Sequence, residues 1–213
     1  MIFILIFFIC FLASTAGAIC GIGGGVIIKP VLDALGIMDV TTISFLSGCT
    51  VLSMTTYSVI RSKLSGSSKI QQKTGLPLAI GAAVGGVAGK YLFQFIRSLS
   101  PDPNRVGAIQ AVCLLIVTLG TLLYTLKKSQ IRTLTVTNYW ICTAIGLILG
   151  ILSSFLGIGG GPINLVVLFY FFSMDTKTAA ENSLYIILFS QIASLLSSVV
   201  TNSIPAFSIN ILI

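Results

Sequence analysis

Apolar runs of membrane-crossing length alternate with short polar breaks along the whole chain. Residues 2–19, 41–60, 75–97, 106–126, 139–156 and 179–200 are each apolar over close to the roughly 20 residues that cross a bilayer, and they predict membrane helices. Two apolar segments, 26–37 and 162–172, are too short for a straight span. A last one starts near Pro205 and reaches residue 213. Each short segment follows the same five residues, Gly21-Ile22-Gly23-Gly24-Gly25 early and Gly157-Ile158-Gly159-Gly160-Gly161 later. A glycine costs a helix roughly 1 kcal/mol relative to alanine, so four within five residues predict a break. In lipid, broken backbone is tolerated only where protein buries it or where it lines a watery cavity. A duplicated break of this kind is a device of transporters.

Composition supports the membrane reading. Of 213 residues 55% are hydrophobic and 8% charged, and the mean hydropathy is +1.06; a soluble domain is about 25% charged. The expectation is an all-α polytopic membrane protein forming one domain over residues 1–213. The first helix is not a signal peptide, because Met1–Leu12 lacks a positive n-region and leads into no polar mature region. The five cysteines form no CxxC pair and read as small buried hydrophobes. The chain has no His, which excludes a Ser-His hydrolase and a His-based zinc site. No cofactor is expected, and neither a nucleophile–base pair nor a metal cluster suggests an enzyme.

The formal charge of +7 is explained by orientation, not by nucleic acid. Loop 61–74 carries Arg61, Lys63, Lys69 and Lys73, loop 127–137 carries Lys127, Lys128 and Arg132, and neither holds an acid. Two crossings separate the loops, so both lie on one side, by the positive-inside tendency the cytoplasm. If segment 26–37 crosses with a partner, the two halves are inverted; if it is re-entrant, they are parallel. The absence of Lys and Arg from the first twelve residues favours an outside N-terminus and inversion.

The halves are related in sequence. At an offset of 136, residues 21–48 align with 157–184 without gaps and share twelve identities, including a second Met-Asp pair. This gives one repeat over 1–126 and a second over 138–213. Such glycines can serve close helix packing. Alternatively, each motif exposes a half-helix N-terminus whose unpaired N–H groups and positive dipole end suit an anion. Two such ends facing each other near mid-membrane would hold an anion between them. A nucleotide loop is weak here, since no Lys-Ser/Thr follows either motif.

These residues resemble the sulfite exporter TauE/SafE family: a duplicated Gly-Ile-Gly-Gly-Gly after a first helix, a short apolar segment, then a Ser-bearing helix. The likeness covers essentially the whole chain. It implies an integral membrane permease for small, often sulfur-containing anions such as sulfite or sulfonates, built from two related halves of about four membrane segments. The first half has two further spans after its Ser-rich helix. The second has only the opening residues of their counterparts, from Pro205, with Pro77 and Pro205 in equivalent places. A full second half needs roughly 45 more residues. The expectation is a C-terminally truncated member or one that completes itself as a homo-oligomer.

The expected substrate-binding residues are Gly21, Gly23, Gly24, Gly25, Gly157, Gly159, Gly160 and Gly161 through backbone N–H groups, with the repeat-equivalent Ser47 and Ser183 and with Asn182. Asn164 is expected to face the protein interior. Either Ser can instead bond to its own helix carbonyl. Lys90 is expected to snorkel, Lys29 to add positive charge near the first motif, Glu181 to cap the last long helix, and Asp39 and Asp175 to cap the helices that follow them. The leading function is a secondary permease in the bilayer, its partner a small anion. The alternatives are a channel-like pore, a transporter of another small solute, or a non-transporting membrane fragment.

Overall fold

The computed structural model describes residues 2–36, 38–66, 68–99, 103–201 and 204. The apolar segment expected over 205–213 lies outside them. The described residues form eight α-helices: α1 (Ile2–Cys20), α2 (Gly25–Leu35), α3 (Val40–Leu64), α4 (Gln72–Leu99), α5 (Pro103–Lys127), α6 (Tyr139–Leu156), α7 (Pro162–Phe172) and α8 (Thr176–Val200). Helices α3, α4, α5, α6 and α8 are long and apolar enough to cross a membrane.

Helix ends differ from the polar boundaries read in the sequence. Arg61 and Lys63 lie in the last turn of α3, and Lys127 lies in the last turn of α5. Cations there complement the negative end of the helix dipole, so the helices run on through the basic residues. Asp39 and Asp175 are the N-caps, accepting from the Thr41 and Thr178 amides at 3.1 and 2.7 Å. The Thr178 hydrogen bonds hold the Asp175 carboxyl below the usual carboxylate range. Pro30 is the sixth residue of α2. It therefore removes an intrahelical donor that a first-turn proline would spare.

Glu181 is not a cap. It accepts from the Ser62 hydroxyl at 3.1 Å and from the Lys69 amide at 2.7 Å. Asn182 next to it accepts from the Gln71 amide at 3.2 Å and donates to the Lys69 carbonyl at 3.2 Å and the Thr178 carbonyl at 2.8 Å. Together they hold the α3–α4 loop onto the start of α8. The segment after α5 docks on the end of α7, where the Leu134 and Val136 amides donate to Tyr170 and Phe171. Both basic loops thus meet the α7–α8 turn at one end of the bundle. At the other end Arg97 pairs with Asp39 at 3.6 Å.

These contacts fix the directions of the helices. Ser62 of α3 meets Glu181 of α8, whereas Gly48 lies against Gln191. Helices α3 and α8 therefore run antiparallel. Helix α2 folds back along α1, with Ile28 and Leu32 clustering with Ile6 and Ala13. Helix α7 returns toward the start of α6, the Val136 amide just before α6 donating to the Phe171 carbonyl at the end of α7. The α1–α2 hairpin returns to the Asp39 end and the α6–α7 hairpin to the basic end. The three long helices α3, α4 and α5 lie between the hairpins in the chain and leave them oppositely directed.

Helices α4 and α6 are locked by glycine. A Cβ on Gly81, Gly85 or Gly89 would lie 2.1, 2.1 or 2.4 Å from the carbonyl oxygens of Thr143, Leu147 and Ile151. From the other side, Cβ atoms on Gly146 and Gly150 would lie 2.2 and 2.3 Å from those of Leu78 and Ala82. Backbones this close gain dispersion and Cα–H···O contacts, the main attractions left once lipid removes the hydrophobic drive.

Gly85→Ala is expected to lower the melting temperature in detergent, at a cost of about 1–3 kcal/mol for overpacking. Gly120→Ala, where a Cβ meets nothing within 4 Å, is expected to hold or raise it by up to about 1 kcal/mol. Equal melts for the two variants would show that the α4–α6 contact is not tight. Glu181→Ala is expected to speed tryptic cleavage after Lys69 about tenfold, the factor set by ~1.4 kcal/mol from losing hydrogen bonds to a charged group. An unchanged rate would mean that the loop is held elsewhere.

Candidate functional site

Each glycine motif makes a tight turn. Gly21 and Gly23 have φ of +70° and +80°; Gly157, Gly159, Gly160 and Gly161 have +67°, +73°, +124° and +97°. A side chain costs roughly 1–2 kcal/mol per residue in left-handed backbone, so these positions need glycine for conformation. Gly24 and Gly25 need it for space. A Cβ on Gly25 would lie 2.2 Å from the Ile158 carbonyl oxygen, and one on Gly24 3.0 Å from that of Ala13.

The two turns meet inside the bundle. Helices α2 and α7 have 11 residues each, about 16 Å of rise, so their first turns lie about half a bilayer core from the ends to which they return. A Cβ on Gly23 would lie 3.8 Å from the Gly159 carbonyl oxygen, and one on Gly161 2.8 Å from Val26. The N-termini of α2 and α7 therefore approach each other from opposite directions. Each turn also packs on the long helix of the other half. Gly21 faces Ala180 and Gly23 faces Ile187 on α8, while Gly157 faces Ser44 and Gly159 faces Val51 on α3. Ser44 and Ala180, like Val51 and Ile187, are separated by the same 136 residues as the motifs.

Among the described residues the turns do not enclose an open anion cavity. Their backbones pack directly on one another, because residues without Cβ atoms permit it. The polar space lies beside them, among α3, α4, α5, α6 and α8. Ser44, Gly48, Lys90, Gln110, Ser154, Gly157, Gln191 and Ser194 are among its lining residues, and its volume is about 20 Å³, room for about one water. Next to it, between α2 and α5, lies a wide and mainly apolar groove of about 720 Å³, lined in part by Lys29, Asp33 and Gln110. Gln110 borders both spaces.

Lys29 reaches from α2 into this wall. Its ammonium is buried and donates to the Ser44 hydroxyl at 3.1 Å and the Gln110 Oε1 at 2.9 Å, with Asp33 at 3.5 Å. Gln110 in turn donates through Nε2 to the Phe155 carbonyl at the end of α6. Lys90 does not snorkel: it is 8% exposed, and its ammonium lies 5.9 Å from the Phe93 ring centroid. It stands nine residues before Leu99, the last residue of α4, too deep for its stem to reach the bundle end.

The other expected residues divide between places. Asn164 is buried beside the second turn, its Nδ2 2.8 Å from where a Gly160 Cβ would be, and its Oδ1 has no partner. Ser47 and Ser183 are fully buried with unpartnered hydroxyls. Ser47 lines a separate cavity of about 210 Å³ among α1, α2 and α3, not the one at Lys90. Asn182 spends its amide on the α3–α4 loop. Gln110 and Gln191 escaped the sequence reading. The signal was present, since each is an uncharged polar residue inside an otherwise apolar span, and in lipid such groups face protein.

The chain was compared with known proteins. The family described as "Sulfite exporter TauE/SafE" matches residues 6–212. The "Probable membrane transporter protein YunE" of Bacillus subtilis (strain 168) is 24% identical over 226 residues, covering 96% of this chain and 81% of that protein. No solved structure matches. With a family match over nearly its entire length, on a helical bundle with two glycine-broken hairpins, the chain belongs to the sulfite exporter TauE/SafE family of membrane transporters.

Proposed function

We propose that this membrane transporter carries small anions, sulfur oxyanions such as sulfite or sulfonates among them, as a secondary transporter. In this reading α1–α5 and α6–α8 are inverted repeats, and substrate binds where the two glycine turns meet. The observation that carries the proposal is the head-to-head approach of α2 and α7. The first N–H groups of a helix lack intrahelical acceptors, and each helix start carries roughly half a positive charge. Two such ends close together inside a low-dielectric bundle repel each other unless negative charge sits between or beside them. The buried Lys29 and Lys90 add to the same positive field.

The space of about 20 Å³ is too small for sulfite, so the reading takes this as an occluded state. Alternating access then comes from moving one hairpin and its long helix against the other. Gly21, Gly23, Gly24, Gly25, Gly157, Gly159, Gly160 and Gly161 supply the backbone site, with Ser47 and Ser183 on the two long helices beside it. Asn182 has no part in it, its hydrogen bonds being committed to the loop.

Orientation follows from charge. Arg61, Lys63, Lys69, Lys73, Lys127, Lys128, Arg132 and Lys177 gather at the end of the α7–α8 turn, eight of the twelve Lys and Arg in the chain. By the positive-inside tendency this end faces the cytoplasm of the cell membrane.

Gly160→Leu tests the site. A Cβ there would lie 2.5 Å from Ile187 Cγ1 on a φ of +124°. Uptake of labelled sulfite into vesicles is expected to fall at least about tenfold while the protein still inserts, the barrier rising by ~1.4 kcal/mol or more. Flux equal to wild type would sink the glycine-turn site. For orientation, a cysteine replacing Ser65 in a background without the native cysteines is expected to react with a membrane-impermeant maleimide only from the cytoplasmic face. Labelling from outside would reverse the assignment.

A further inference from the structure

We infer that Lys90, with Gln191 and the Ser154–Ser194 hydroxyl pair, forms the subsite that takes the negative charge of one small oxyanion. The inference rests on the anion-transport reading and deepens it, since neither glycine motif supplies a full charge.

The two interior lysines differ in their partners. Lys29 has three acceptors around its three N–H bonds: Asp33, Ser44 and Gln110. Its charge is matched within the protein. Lys90 is 92% buried by its 8% exposure, and among the described residues no hydrogen bond or ion pair takes up its ammonium. The face of Phe93 at 5.9 Å is weak compensation. A buried cation without a counter-charge is costly, and an anion from outside the chain would offset that cost.

The groups beside Lys90 suit an oxyanion. Lys90, Gln191, Ser154 and Ser194 line the same small cavity, and among the described residues no carboxylate does. Gln191 is 4% exposed, and its Nε2 lies 3.2 Å from where a Gly159 Cβ would be, which ties the cavity to the second glycine turn. Ser154 and Ser194 share a hydrogen bond of 2.9 Å, which leaves one hydroxyl proton of the pair free to donate. The Ser190 hydroxyl is buried without a partner and abuts Gly86, one turn from Lys90 on α4. An ammonium, an amide N–H₂ and hydroxyls together match an ion with three oxygen acceptors, as sulfite or a sulfonate head presents.

The test uses the full chain in detergent, with sulfite as the probe at constant ionic strength set by chloride. Sulfite is expected to raise the melting temperature of wild type, and the concentration dependence gives an apparent affinity. Lys90→Met is expected to weaken that affinity at least about tenfold, as losing a charge-assisted hydrogen bond does. Without sulfite it should melt no lower than wild type, because it removes an uncompensated charge. Lys90→Arg should stay within about threefold of wild type. Wild-type affinity in Lys90→Met overturns the Lys90 subsite and leaves anion transport standing. Absence of both stabilisation and sulfite flux in wild type overturns the transport reading and the subsite with it. If Lys90→Met does not fold, Gln191→Leu decides: a loss of about fivefold or more in affinity supports the subsite, and no loss overturns it.

Discussion

A polypeptide broken in the middle of a hydrocarbon layer has to find polar and steric cover from its own chain, because lipid offers no hydrogen bonds. Here the cover comes from a second break. Gly23 and Gly25 of the first turn lie against Gly159 and Ile158 of the second, and glycine permits that approach. Much else follows from the requirement. The hairpins enter from opposite ends of the bundle so that their turns meet, with α3, α4 and α5 between them in sequence. Helices α3 and α8 must pass antiparallel beside the turns to close the flanks, and Val51 and Ile187 fill them.

The glycine lock between α4 and α6 gives this arrangement a fixed frame. It joins a helix of the first half to the hairpin of the second by close backbone contact over three turns. By contrast, α5 is the least covered of the five long apolar helices. The polar cavity lies between the tightest and the loosest parts of the bundle, and both interior lysines point into its walls.

Much of this was legible in the sequence. Spacing of apolar runs gave the helices, the cost of glycine in a helix gave the two turns, and the repeat gave their relation. Asp39 and Asp175 were readable as caps because each stands before a long helix with a free first turn. The failures share one cause. Lys90 and Glu181 are read from their distance along their own helices, whereas partners on other helices decide what they do. Glu181 meets Ser62 and Lys69, more than a hundred residues away in sequence. One-dimensional depth likewise suggested an exit for Lys90, and packing of α6 and α8 on α4 closes it. Gln110 and Gln191 stand out only once polar residues inside spans are weighed without regard to charge.

Gln110 touches the groove on one side and the closed cavity on the other. Its side-chain amide is held there by the Lys29 ammonium and the Phe155 carbonyl. The amide and its two partners belong to three different helices, α5, α2 and α6. The position of Gln110 thus depends on α2, α5 and α6 together, and the one that carries it is the least covered of the long apolar helices.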